Sequence, residues 1–372
     1  MRNCGVRLLT LDFRDQYFGC EIELTGITRA TAAHALANLF GTRAEHSGGG
    51  YDAYRVKDLD GKEWKIVRDG SIHPEGYRRS STSGEYKVEL NSPKLEYAEM
   101  EKLQEVIRSL RRAGGRVNSS CGMHVHVDAS KYTPQSLKNV LSIMYSKEDI
   151  LFAALKVNPS RISSYCQPVD EPILEEIRKL PSGASMDQLK DRWYQGRDGS
   201  DYHYHSSRYR ACNMHSVFYH GTIEWRLFNS TLHAGEAKAN IILAMAISAQ
   251  GINQKYTQFR KTPIGDNPAF TFRTFLLRLG LIGPEYKNVL SIMYSKEDIL
   301  FAALKVNPAR IDSYCQAVDE PILEEIRKLP SGASMDQLKD RWYRGRDGSD
   351  YHYHQSRYHA FYAQKKVMRR IF

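Results

Sequence analysis

The 372-residue chain lacks most of the features that place a sequence in a class at sight. No apolar run is long enough to span a bilayer, and Met1 to Thr10 has neither the apolar centre nor the cleavage site of a signal peptide. The six cysteines, Cys4, Cys20, Cys121, Cys166, Cys212 and Cys315, form no dense framework and show no paired metal-ligand spacing. The glycine run Gly48 to Gly50 is not followed by the Lys-Ser/Thr and helix of a phosphate-cradling loop, so His46 to Gly50 reads as a flexible hairpin connection. Basic residues are scattered and form no recognised nucleic-acid motif. These absences argue against a disulfide scaffold, a membrane protein and a nucleic-acid binder, and the expectation is a soluble cytoplasmic protein with reduced thiols.

What is present is globular. Hydrophobic residues make up 41% of the chain, enough for a full core in one large domain or two. The net charge of +10 suits an anionic partner such as a nucleoside triphosphate or an acidic peptide.

Three segments stand apart. Cys121 to Asp128 alternates valines with polar residues, the pattern of a strand that puts His124 and His126 on one face. Tyr17 to Leu24 puts Glu21 and Glu23 on one face, with Cys20, Ile22 and Leu24 on the other. Gly221 to Phe228 repeats the pattern with Glu224 and Arg226. One histidine pair on a half-buried strand is more often a hydrogen-bonded surface feature than a ligand site. Three strands that each present a charged or polar pair, backed by apolar residues, are hard to explain as a solvated edge.

Between these segments the pattern is mixed. Arg29 to Phe40 reads as a helix capped by Thr28, followed by strands over Tyr51 to Lys57, Lys62 to Arg68 and Glu85 to Asn91, the last with Glu85, Lys87 and Glu89 on one face. His73 to Gly84 is polar and rich in Gly and Ser, as suits a mobile loop near a site. Helices are expected over Tyr97 to Arg112, Pro134 to Leu155, Gln167 to Lys179 and Met186 to Tyr194. Gly196 to His205 is a loop whose Tyr202-His203-Tyr204-His205 run reads as aromatic loop residues or, less often, as a metal site. Glu236 to Asn253 is apolar nearly all round and reads as a buried helix.

The chain also repeats itself. Lys138 to Tyr209 recurs as Lys287 to Tyr358 with five differences, at Ser160, Ser163, Pro168, Gln195 and Ser206. Solenoid repeats are shorter and drift far more, so this is a segmental duplication. The copy contains none of the three polar-paired strands and ends in a basic tail, Gln364 to Phe372, so it is not expected to build a second site.

Six motifs in order now carry a resemblance. They are Phe18 to Glu23, Trp64 to Asp69 with Ser71, Glu89 before Asn91-Ser92-Pro93, Cys121 to Asp128, Arg208-Tyr209-Arg210 with Asn213, and Thr222 to Asn229. Together, over about Phe18 to Gly283, they resemble the amidoligases, bacterial and phage-associated carboxylate-amine ligases distantly related to glutamine synthetase and glutamate-cysteine ligase. Periodicity alone gives an α+β class. The resemblance implies a curved antiparallel sheet with helices on its outer face and a glutamine-synthetase-like catalytic funnel on the other. It implies a catalytic domain over 1–286 with a helical insertion at about 134–205, leaving 287–372 as the duplicated copy and tail.

In that superfamily ATP phosphorylates a carboxylate and an amine attacks the acyl phosphate, a reaction that depends on positioning and on divalent cations at the phosphates. Paired carboxylates on one strand repel unless a cation relieves them, and Mg²⁺ or Mn²⁺ suits such an oxygen-rich site. By resemblance, Glu21, His124 and Glu224 hold one metal; Glu23 and Glu89, with Asp69 or Glu85, hold the other. His126 touches a phosphate of ATP, Arg226 offsets charge during transfer, and Arg208, Arg210 and Asn213 contact nucleotide or substrate. The expected function is an ATP-dependent amide or isopeptide ligase whose carboxylate and amine substrates include peptides or proteins, with a homo-oligomer compatible. The alternatives are a divalent-metal hydrolase, which needs no ATP, and a ligase inactivated by the duplication.

Overall fold

A computed structural model describes residues 11–76, 83–255, 259–265 and 268–281. The chain divides between Met293 and Tyr294 into two units, and the described residues all belong to the first. Met1 to Thr10, residues 77–82 of the His73 to Gly84 loop, the second copy of the repeat and the basic tail lie outside the described residues.

In chain order the elements are β1 (Phe18–Leu24), α1 (Arg29–Phe40), β2 (Ala44–Gly48), β3 (Ala53–Lys57), β4 (Glu63–Val67), β5 (Val88–Asn91), α2 (Met100–Arg112), β6 (Gly122–Asp128), α3 (Pro134–Ala154), α4 (Pro159–Ser164), α5 (Glu171–Arg178), α6 (Met186–Trp193), β7 (Cys212–Asn213), α7 (His215–Tyr219), β8 (Thr222–Asn229), α8 (Ala234–Asn253) and α9 (Pro268–Arg278). The strands form one antiparallel sheet of eight in the order β2-β3-β4-β5-β1-β6-β8-β7. The class is α+β.

Local chemistry accounts for the helix ends. Thr28 caps α1 by accepting from Thr31 N–H, and Gly41 closes it in the left-handed region at φ 67°. Thr133 caps α3, with Pro134 opening the helix; Asp170 and Ser185 cap α5 and α6. The helices α1, α2 and α8 cover one face of the sheet, with α1 on β2 to β4 and α8 on β6 and β8; α3 packs outside α8. That face is dry. Cys20, Ile22, Leu24, Val88, Leu90, Met123, Val125, Val127, Ile223 and Trp225 are all buried, and the Trp225 indole N–H donates to Ser248 Oγ of α8 at 2.9 Å. The cysteines Cys20, Cys121, Cys166 and Cys212 are buried free thiols. Among the described residues no helix is long and apolar enough to cross a membrane.

The structure corrects several boundaries. Ala44–Gly48 is a strand paired with β3 and not part of a flexible connection; the turn is confined to Gly49–Asp52. Glu85 lies on a 3₁₀ turn (Gly84–Tyr86) and is exposed, so the strand begins only at Val88 and Glu85 does not share a face with Glu89. Three short elements, α4, β7 and α7, occupy stretches without readable period.

Candidate active site

The sheet face turned away from the helices carries the charged pairs, and strand register assembles them. β1 and β5 set Glu23 opposite Glu89, β1 and β6 set Glu21 opposite His124, β6 and β8 set His126 opposite Glu224, and β7 adds Asn213 opposite Glu224. Directly opposed residues have Cβ atoms about 5 Å apart, so backbone pairing alone brings these groups within reach of one ion.

Two clusters result. In the first, one ligand atom each of Glu21, His126 and Glu224 lies within 4.8 Å of the others; in the second the same holds for Glu23, Asp69 and Glu89. Asp69 comes from the loop after β4, where its Oδ1 accepts from Ser71 N–H at 2.6 Å. The expected and observed sets differ at one residue. His126 joins Glu21 and Glu224 in the first trio, while the expected ligand His124 lies beside the same two acids, its Nδ1 3.7 Å from Glu224 Oε1. His124 is buried between the clusters, with Nδ1 at 2.8 Å from Glu21 Oε2 and Nε2 at 4.0 Å from Glu23 Oε1. His126 turns Nδ1 to Thr222 Oγ1 at 2.9 Å, which leaves its buried Nε2 without a hydrogen-bond partner, 3.4 Å from Glu21 Oε1. A buried ring nitrogen without a partner beside two carboxylates is the donor set of a cation ligand.

Charge is balanced differently in the two clusters. Burial raises Glu21, but the hydrogen bond with His124 and the closeness of the His126 ring outweigh it and hold its carboxyl well below the usual range. Burial likewise raises Glu224, yet the Arg226 guanidinium, which donates to Glu224 Oε1, pulls it down to about 2. In the second cluster burial and the neighbouring Asp69 raise Glu23 to about 7. Burial, then Glu21, Glu23 and Asp69, push Glu89 well above the carboxylate range.

Two cavities of about 660 and 580 Å³ meet at Glu21, Asn91 and His220. The larger is lined by Glu21, Glu23, Asp69, Glu89, His124 and Arg226, together with Arg68, Tyr165, His203 and Arg208. The smaller holds His126, Thr222, Tyr17, Lys65 and Lys94. Of the expected contact residues, Arg208 reaches the larger cavity, and Asn213 donates to Glu224 Oε2 at 2.6 Å. Arg210 does not line either cavity; it is drawn to Asp170, the cap of α5. Sequence reasoning missed Arg161, a guanidinium 3% exposed in the cavity wall, whose short helix has no periodic signature.

A search of curated proteins finds no match. Among solved structures the chain is similar to a crystal structure of a bifunctional glutathione synthetase from Pasteurella multocida, at 12% identity and a TM-score of 0.34, over 92% of this chain and 52% of that one. It thus spans about half the length of that protein. A family model described as "Putative amidoligase enzyme" matches residues 14–248 and 279–370, the second stretch taking in the repeat of 138–209. With most of its length matched, the chain is a member of the amidoligase family.

Proposed function

We propose that this chain joins a carboxylate to an amine at the expense of ATP, through an acyl phosphate, with Mg²⁺ or Mn²⁺ at the two clusters. The observation that carries the reading is the pair of clusters on shared strands, one trio with an unpartnered histidine nitrogen and one of three acids, in a chain of this family. Glu21 and Glu23 are two apart on one strand face, so their Cα atoms lie roughly 6.6 Å apart and each carboxylate belongs to a different cluster. The donor atoms fit: Glu21, His126 and Glu224 would hold one cation and Glu23, Asp69 and Glu89 the other. Divalent cations held there would supply positive charge to offset that of the phosphates.

The chain's own residues then divide the work. Arg226, fixed by Glu224, lies 3.5 Å from His124 and presents its charge to the cavity where negative charge builds during phosphoryl transfer. In that step a carboxylate oxygen of the acyl donor forms a bond to the terminal phosphorus and ADP leaves; the amine then attacks the acyl carbon, loses a proton and expels phosphate. Asn213 and Thr222 hold Glu224 and His126 in place. The two joined cavities give the nucleotide and the carboxylate separate approaches to Glu21. Carboxylate and amine substrates, including peptides, and a catalytic domain over 1–286 complete the proposal.

The test is nucleotide binding by calorimetry, with and without Mg²⁺ or Mn²⁺, on the wild type, on Glu21→Ala and on a chain cut after Tyr286. Binding that requires the metal and disappears in Glu21→Ala supports the reading, and Glu21→Ala should slow carboxylate-dependent ADP release by roughly 10²- to 10³-fold. Unchanged ADP release in Glu21→Ala, or metal-dependent hydrolysis without ATP, sinks it. The cut chain binds as the full one does if the second copy contributes nothing to the site.

A further inference from the structure

Opposite His124 the sheet is irregular. Trp225 pairs with Val125 and Phe228 with Met123, so two residues of β8, Arg226 and Leu227, stand against His124 alone. This is a β-bulge, a device that re-aims a side chain and leaves backbone groups out of the ladder. The freed carbonyls need partners. Arg161 supplies them: one terminal nitrogen donates to the Phe228 carbonyl at 2.5 Å and the other to the Arg226 carbonyl at 3.0 Å. A few residues on, the Tyr165 carbonyl accepts from Arg226 Nε at 3.1 Å. The short helix α4 and the residue that follows it therefore grip Arg226 twice, by its backbone and by its guanidinium.

The grip depends on a missing side chain. A Cβ on Gly122 would lie 2.3 Å from an Arg161 nitrogen and 2.8 Å from its central carbon. The Gly122 N–H also donates to Glu23 Oε2 at 2.7 Å. The α4 segment is itself moored to the end of β8, since Asn158 N–H donates to Asn229 Oδ1 at 3.0 Å and Asn229 Nδ2 to the Lys156 carbonyl at 2.8 Å.

We infer that Arg161 is a positioning residue for the ligase reaction, clamping the β8 bulge through the open space over Gly122 so that Arg226 is held against Glu224 and aimed into the cavity. The inference rests on the function proposed above. Arg161 touches no reacting atom in this role; its two carbonyl contacts set the direction of a residue that does.

The test uses the full chain with four variants: R161M, R161K, G122A and G122A/R161M. ADP release is followed with the carboxylate most active on the wild type, ATP affinity by calorimetry with Mn²⁺, and folding by thermal melts. A displacement of about 1 Å at a charge-stabilising group costs on the order of 10²-fold in rate. R161M should therefore lose about 10²-fold in kcat with ATP affinity within about two-fold. G122A, which removes no charge, should reproduce that loss because its methyl displaces the guanidinium. The double variant should be no slower than R161M, since the methyl then no longer displaces a guanidinium. R161K, whose ammonium reaches one carbonyl at a time, should recover part of the rate. If R161M does not fold, R161Q replaces it. Weakened ATP binding with unchanged kcat in R161M would mean direct nucleotide contact and overturn the inference, as would additive losses in the double variant. A wild type that turns over no carboxylate with ATP overturns the ligase reading and the positioning role with it. The melts remain separate: non-additive melting temperatures report the Gly122–Arg161 contact whatever the activity.

Discussion

The two carboxylate clusters sit on neighbouring strands and share a floor, yet one is balanced by the protein and the other is not. Glu21 and Glu224 are met by His124, His126 and Arg226, and both are held ionised. Glu23 and Glu89 face each other and Asp69, and both are driven toward the protonated form. The difference teaches where a cation is needed. A buried carboxylate with a cationic side chain beside it satisfies itself, whereas buried like charges need an ion, a proton or distance. The first cluster is pre-arranged; the second gains most from a cation.

The same substitution should then have opposite consequences in the two places. Glu224→Gln removes the partner of Arg226, leaves that guanidinium buried with less compensation, and should destabilise the metal-free protein by about 3 kcal/mol in urea melts. Equal stability of Glu224→Gln and wild type would mean that Glu21 alone compensates Arg226, and the contrast between the clusters would collapse. Glu89→Gln replaces an acid whose ionised form burial and its acidic neighbours disfavour, and should leave the metal-free protein as stable as the wild type or more so, by on the order of 1 kcal/mol. Its cost appears on adding metal. With Mn²⁺ at a hundredfold excess over its Kd the wild type should gain roughly 2–3 kcal/mol, a gain that Glu89→Gln should lose in part. A Glu89→Gln protein destabilised without metal would show that Glu89 is satisfied by protein groups after all.

How much of this was readable follows the same physics. The alternation of period two announced β1, β6 and β8, and with them Glu21, Glu23, His124, His126, Glu224 and Arg226 on one face. Alternation cannot say which of two histidines on that face completes a trio; that was decided by the Thr222 hydroxyl, which turns the His126 ring. Glu89 and Asp69 were legible through the resemblance, since a four-residue strand and a loop carry little pattern of their own. β2 was missed because Ala44–Gly48 is a mostly exposed, polar edge with no dry face. Arg161 was missed because nothing in Pro159–Ser164 marks an arginine as buried; its burial is set by the β8 bulge, a tertiary feature. The repeat was plain in the sequence. The structure adds that each of its five differing positions, Ser160, Ser163, Pro168, Gln195 and Ser206, is exposed in the first copy, so no buried residue there is altered in the second.

The smallest effect sharpens the comparison by lying outside both clusters. His215 is buried beside them; its Nδ1 is 2.5 Å from the Tyr194 hydroxyl and its Nε2 has no hydrogen-bond partner. Burial, then the charge of His205, pushes its pKa down to about 4, against about 6.5 in an unfolded chain. Between those values the unfolded state binds a proton that the native state does not. The stability tied to neutral His215 is therefore fully present above about pH 6.5 and is lost as the pH falls toward 4. Melting temperature measured without metal should decline over that window in the wild type and decline less in His215→Asn, while metal affinity at pH 8 stays the same in both. The carboxylates raised in the second cluster act in the opposite sense, losing stability as the pH rises through their folded values, so the two contributions separate by variant. A slope that survives in His215→Asn would place the acid sensitivity elsewhere, and the histidine would then be one whose burial the fold tolerates without titrating it.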